Sequence, residues 1–156
     1  MTKKVTDYLK GSPILINEEF SNRIALFTAV NQLALEKEWV TDDFLAKIIE
    51  REQVFPTGLD QGTYGIAIPH TDPECVTKEF IAFVMPKEPV DFQRMDDANL
   101  TVPASFVFIL GLNQPHQQLA MLQNLMGLMQ NTELLNELSS KTTADEVLEL
   151  LELNGF

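Results

Sequence analysis

The stretch Ala104-Ser105-Phe106-Val107-Phe108-Ile109-Leu110 carries no charge and draws on β-branched and aromatic side chains, the composition of a strand buried along most of its length. Two runs of the same kind precede it, Ile66-Ala67-Ile68 and Phe80-Ile81-Ala82-Phe83-Val84-Met85, in a region punctuated by Gly, Pro and Asp. Between the last two, Lys87 to Asn99 carries Pro89 and the acids Glu88, Asp91, Asp96 and Asp97. It reads as a loop with one short edge strand at Val90–Phe92.

On both sides of this block the period changes to that of a helix. Upstream, Phe20, Ile24, Phe27, Val30, Asn31 and Leu33 to Leu35 recur at helical spacing through Glu38, with Asn17 the expected cap and Glu18 and Glu19 in the first turn, where negative charge meets the positive end of the helix dipole. Thr41-Asp42-Asp43 opens a second helix through Ile48 and Ile49, ending near Arg51-Glu52 before Pro56-Thr57-Gly58 breaks the chain. Downstream, Leu119, Leu122, Leu125, Met126 and Met129 form one stripe and Leu134, Leu135 and Leu138 another. Thr143-Ala144-Asp145-Glu146 opens a last helix through Leu153. Helices flanking a strand block imply one layered α/β domain over residues 1–156.

Composition narrows the functional classes. Hydrophobic residues at 45% and charged residues at 22% allow a real core. Twenty-three acids against 11 bases give a formal charge of -12, the wrong sign for a nucleic-acid backbone or an anionic lipid surface. Cys75 is the sole cysteine, so no intramolecular disulfide can form. Asp7, Lys10 and Asn17 interrupt any apolar segment after Lys3-Lys4, and Val102 to Leu112 contains Pro103, Ser105 and Gly111. Neither a signal peptide nor a spanning helix is expected, and a cytoplasmic location is.

The chain has two histidines, His70 and His116, and only histidine offers a neutral nucleophilic nitrogen at pH 7 without a perturbed pKa. His70 follows Gly65-Ile66-Ala67-Ile68-Pro69, at the carboxyl end of a buried strand, where open α/β sheets hold ligands. Pro69 cannot donate to a sheet ladder, so His70 is expected to project into a mouth; the plain alternative is a loop histidine. His-x-Asp-x-x-Cys over His70, Asp72 and Cys75 is no recognised zinc spacing, so no metal is expected. Cys75 lies near Asp72 and Glu74, which disfavour a thiolate. With no Walker loop and no G-x-G-x-x-G, nothing supports a nucleotide.

The segments Arg51-Glu52-Gln53-Val54-Phe55-Pro56-Thr57-Gly58 and Gly65-Ile66-Ala67-Ile68-Pro69-His70-Thr71 resemble the phosphorylation-site signature of enzyme IIA components of the bacterial phosphoenolpyruvate-dependent phosphotransferase system, fructose/mannitol class. Phe55-Pro56-Thr57-Gly58 and Val90-Asp91-Phe92 look most like the galactitol branch. The resemblance covers nearly the whole chain and implies a mixed sheet of about five strands with helices on both faces. It implies that His70 accepts a phosphoryl group from the carrier protein HPr and passes it to a cysteine of a IIB component serving a membrane IIC, with no cofactor. By position, Arg51 matches a family arginine near the active site; its alternative is a helix C-terminal cation complementing the dipole. His116 matches a second family histidine beside the phosphorylated one; its alternative is a surface residue in a first helical turn. Thr71 is a candidate donor to the phosphoryl group. A regulatory role of the nitrogen-related IIA type is the alternative function.

Overall fold

Phe80 to Met85 is buried throughout, and its side chains divide by parity between two cores: Ile81, Phe83 and Met85 enter one, Phe80, Ala82 and Val84 the other. The same division runs through Phe106, Phe108 and Leu110 against Val107 and Ile109. Side chains alternate across a strand, so these runs lack any polar face and must be covered on both sides. The computed structural model describes residues 3–156, and in it the sheet lies between two helical layers.

The sheet has six strands: β1 (Ile14–Ile16), β2 (Gly58–Asp60), β3 (Gly65–Ala67), β4 (Phe80–Met85), β5 (Val90–Gln93) and β6 (Thr101–Gly111). The order is β1-β4-β6-β3-β2, with β5 paired to the start of β6. β1 runs parallel to β4 and β3 parallel to β6, whereas β2–β3, β4–β6 and β5–β6 are antiparallel. On the first face, α1 (Val5–Leu9), α4 (Pro115–Met129), α5 (Thr132–Ser139) and α6 (Ala144–Leu153) bury Leu9, Leu125, Leu138 and Leu151. On the second, α2 (Arg23–Glu36) and α3 (Phe44–Val54) bury Phe27, Val30, Phe44 and Ile48.

The mixed sheet with helices on both faces agrees with expectation. The two strands that the apolar runs do not announce, β1 and β2, are three-residue segments that a period count cannot resolve. The cap of α2 requires correction. Asn22, not Asn17, closes the first turn, accepting the Ala25 N–H at 2.9 Å. Asn17 takes φ 62 and donates its N–H to the Met85 carbonyl at 2.9 Å, so it ends β1 in the left-handed region that asparagine tolerates. Glu18 and Glu19 therefore precede the helix. Thr143 caps α6 as read, accepting the Glu146 N–H at 3.2 Å.

Two contacts between β3 and β6 fix the site's position. A Cβ on Gly65 would stand 2.2 Å from the Pro103 carbonyl oxygen, so only glycine permits this approach. Beyond the strand end, the Leu110 N–H donates to the Pro69 carbonyl at 2.9 Å. The parallel pairing thus extends as a single bridge to His70.

Candidate active site

α3 reaches beyond the expected end at Arg51-Glu52 to Val54. Its last turn and the following Phe55-Pro56-Thr57 face the strand end that carries His70. An open cavity of roughly 450 Å³ between them is lined by His70, Arg51, Phe55, Thr57, Met95 and Ala98, among others. His70 is partly buried, and its Nδ1 lies 3.1 Å from the Ile68 carbonyl oxygen. A carbonyl can only accept, so this contact assigns the ring proton to Nδ1 and leaves the Nε2 lone pair free. Burial lowers the pKa of the imidazole and the Arg51 charge lowers it further, against the Ile68 hydrogen bond. The ring is therefore held neutral at physiological pH.

Arg51 has a mixed environment. Its Nη1 lies 3.3 Å from Asp72 Oδ1 with both side chains well exposed, a weak pair. The guanidinium sits 5.3 Å from the Phe55 ring centroid, within cation–π range. Its Nε is buried without a protein partner. The buried Thr71, 3% exposed, likewise has an unpartnered hydroxyl. Arg51 and His70 line one cavity, so the structure brings these two candidates together. Thr71 follows His70 with its side chain inward. His116 is the second residue of α4, exposed, and outside the cavity lining.

Among the described residues, no three His, Cys, Asp or Glu side chains converge as metal ligands would. Cys75 is buried and its thiol is pushed up, first by burial and then by Asp43. Its place in the core beside Val40 and Phe80 makes it a packing residue. The acids Glu133, Glu137, Glu146 and Glu149 belong to α5 and α6, on the sheet face opposite α3. Among the described residues, no carboxylate lines the His70 cavity, and Asp96, next in sequence to the lining residue Met95, is held by Arg94 with two hydrogen bonds of 2.9 and 2.6 Å. The acids of α5 and α6 thus lie away from the imidazole, and the nearby Asp72 is paired with Arg51.

Sequence reading assigned no role to Glu52, Phe55 or Met95. Phe55 and Met95 form an apolar rim, 63% and 49% exposed. Glu52 is 2% exposed, and burial pushes its carboxyl up to about 7. A signal for this existed: Phe44, Ile48 and Glu52 are spaced by four, which sets the glutamate on the helix face that enters the core.

Residues 7–154 match the sequence model of the family described as phosphoenolpyruvate-dependent sugar phosphotransferase system, EIIA 2. The chain belongs to that family. EIIA components are phosphotransferase relay proteins, and this EIIA chain is similar to the galactitol-specific EIIA component of Escherichia coli, 34% identical over 119 residues, covering 76% of this chain and 79% of that protein. The fold is also that of nitrogen regulatory protein IIA-Ntr from Neisseria meningitidis, with TM-score 0.79 and 28% identity over 94% of this chain and 98% of that one. The IIAMTL of Escherichia coli, solved in complex with phosphorylated enzyme IIBMTL, shares the fold at TM-score 0.71 and 22% identity, over 97% and 99% of the two chains. Among the described residues, no helix is long and apolar enough to cross a membrane.

Proposed function

We propose that this EIIA chain takes a phosphoryl group from the phosphohistidine of HPr onto Nε2 of His70. It then gives the group to a cysteine of a cognate IIB component, which serves a membrane IIC for a galactitol-like polyol or sugar. The observation that carries the reading is the His70 imidazole, its Nδ1 against the Ile68 carbonyl and its ring opening on a cavity shared with Arg51.

In the first step the Nε2 lone pair attacks phosphorus, the donor's N–P bond breaks, and the donor imidazole leaves with that electron pair. The Nδ1 proton stays on His70, so the phosphorylated ring is cationic beside its own dianion. In the second step a cysteine thiolate attacks phosphorus and His70 departs as the neutral imidazole. An N–P bond remains labile because a ring nitrogen leaves readily, whereas a serine ester would trap the group. The protein's task is positioning and charge stabilisation. Arg51 supplies a guanidinium for the equatorial oxygens, and Thr71 a donor beside them. His116, which opens α4 just after β6, is kept as a supporting residue. The exposed apolar rim of Val54, Phe55 and Met95 offers a surface on which two different partners can dock in turn.

The test incubates the protein with phosphoenolpyruvate, enzyme I and HPr and weighs it intact. One acid-labile, alkali-stable phosphoryl group is expected on the wild type and none on His70→Ala. An unmodified wild type, or a modified variant, ends the assignment. The IIA-Ntr likeness favours a second reading, regulation by phosphorylation-dependent protein binding. Passage of the group to a IIB thiol separates the two.

A further inference from the structure

The carbonyl that orients His70 belongs to Ile68, which lies past the end of β3 with Pro69 after it. The Ile68 N–H donates to Thr57 Oγ1 at 3.2 Å. A threonine hydroxyl has one proton, and that of Thr57 is directed to Glu52 Oε1 at 2.8 Å, which turns a lone pair toward Ile68. The second oxygen, Glu52 Oε2, accepts the Thr57 N–H at 2.7 Å. Glu52 and Thr57 are 2% and 3% exposed, so no bulk water substitutes for either partner. The contacts run from Glu52 through Thr57 to the Ile68 N–H and, across the Ile68 Cα, from the Ile68 carbonyl to His70 Nδ1.

We propose that Glu52 and Thr57 are positioning residues that fix the imidazole of His70 in its Nδ1–H tautomer, with Nε2 directed at the incoming phosphorus. Neither touches the reacting atoms. The Glu52 carboxyl sets the direction of one hydroxyl, the hydroxyl holds the Ala67–Ile68 peptide by its N–H, and the Ile68–Pro69 peptide joined to it at the Ile68 Cα presents the carbonyl that holds the ring. Such outer partners of a histidine orient it and fix its tautomer.

The inference rests on His70 as the acceptor, and its test is arranged so that the two can fail separately. The ring-nitrogen shifts of His70 are read by ¹⁵N NMR in the unphosphorylated wild type, Thr57→Val and Thr57→Ser, followed by the rate of phosphoryl uptake from phospho-HPr. The wild type and the Ser variant should show the Nδ1–H tautomer, and the Val variant a mixture. Uptake should fall about tenfold to a hundredfold in the Val variant and return close to wild type in the Ser variant, which keeps the hydroxyl. An unchanged tautomer in Thr57→Val overturns the proposal, as does a Ser variant that behaves like the Val variant. Should Thr57→Val not fold, Glu52→Gln tests the same chain, because an amide cannot accept both Thr57 donors. If no protein takes up phosphate, the acceptor assignment fails while the NMR comparison still decides the positioning.

Discussion

Replacing Glu52 by glutamine should reverse part of the pH dependence of stability. Burial raises the carboxyl from the ordinary 4.5 to about 7, against the two Thr57 hydrogen bonds and the Arg23 charge. In the unfolded chain the group returns to its ordinary value. Between these limits the folded state binds more protons than the unfolded state, so stability falls as pH rises. A carboxylate in an ion pair behaves in the opposite way. At about 1.36 kcal/mol per pH unit, ionising Glu52 in place costs about 3 kcal/mol in all, of which about 2.5 kcal/mol falls between about pH 5 and about pH 8.5. For a chain of this size that amounts to about 5–10 °C in Tm. His70 works the other way: its folded pKa is lowered, so its term adds stability as pH rises through the unfolded value, about 6.5. The terms of the exposed Asp43, Asp96 and Glu146, whose pKa values are lowered, occur in both proteins and cancel in the difference, and a loosened Ile68 bond to His70, which otherwise raises that pKa, would add to the variant's gain in the same direction. Urea unfolding of wild type and Glu52→Gln, followed by circular dichroism across this range, should show the variant gaining about 2.5 kcal/mol relative to wild type as pH increases. A difference that stays constant with pH would refute the argument that burial governs this carboxyl.

Three further outcomes are expected. Arg51→Gln should slow phosphoryl uptake about a hundredfold and raise the pKa of His70 by removing a neighbouring cation, both read from kinetics and an NMR titration; a lowered His70 pKa contradicts the assigned geometry. Gly111→Ala should cost about 3 kcal/mol, because the new Cβ would stand 2.3 Å from the Phe80 ring, and a melting temperature equal to wild type would show that the ring yields freely. His116→Ala should still take up phosphate but pass it to IIB more slowly, and unchanged transfer removes His116 from the site.

The elements legible in the sequence are those whose burial is one-sided or complete over several residues. β4 and β6 are apolar throughout because both faces are covered, and α5 and α6 show their stripes because one face is wet. β1 and β2 are too short to express a period, and α1 spans barely more than one turn. Asn17 and Asn22 are both plausible caps by composition; the carbonyl of Met85 decides between them, and that contact is tertiary. At the site, His70 and Arg51 could be found because chemistry and a motif single them out. The spacing of Glu52 announces its burial, but the role of Glu52 and Thr57 does not show, since it depends on the backbone N–H and carbonyl of Ile68 that no residue type announces.

β6 is synthesised after every strand it pairs with, yet it occupies the middle of the sheet. Until it arrives, the folding chain holds two separate strand pairs, β1 beside β4 and β2 beside β3, with no strand of the one paired to a strand of the other. A nascent polypeptide that has not yet extended past Gly111 therefore leaves the inner edges of both fragments unpaired, the condition in which strands recruit wrong neighbours. Closure requires contacts distant in sequence and is expected to be slow relative to helix formation. The same insertion completes the bridge from Leu110 to Pro69 and His70, so a chain arrested before this strand would lack the bridge that seats the imidazole.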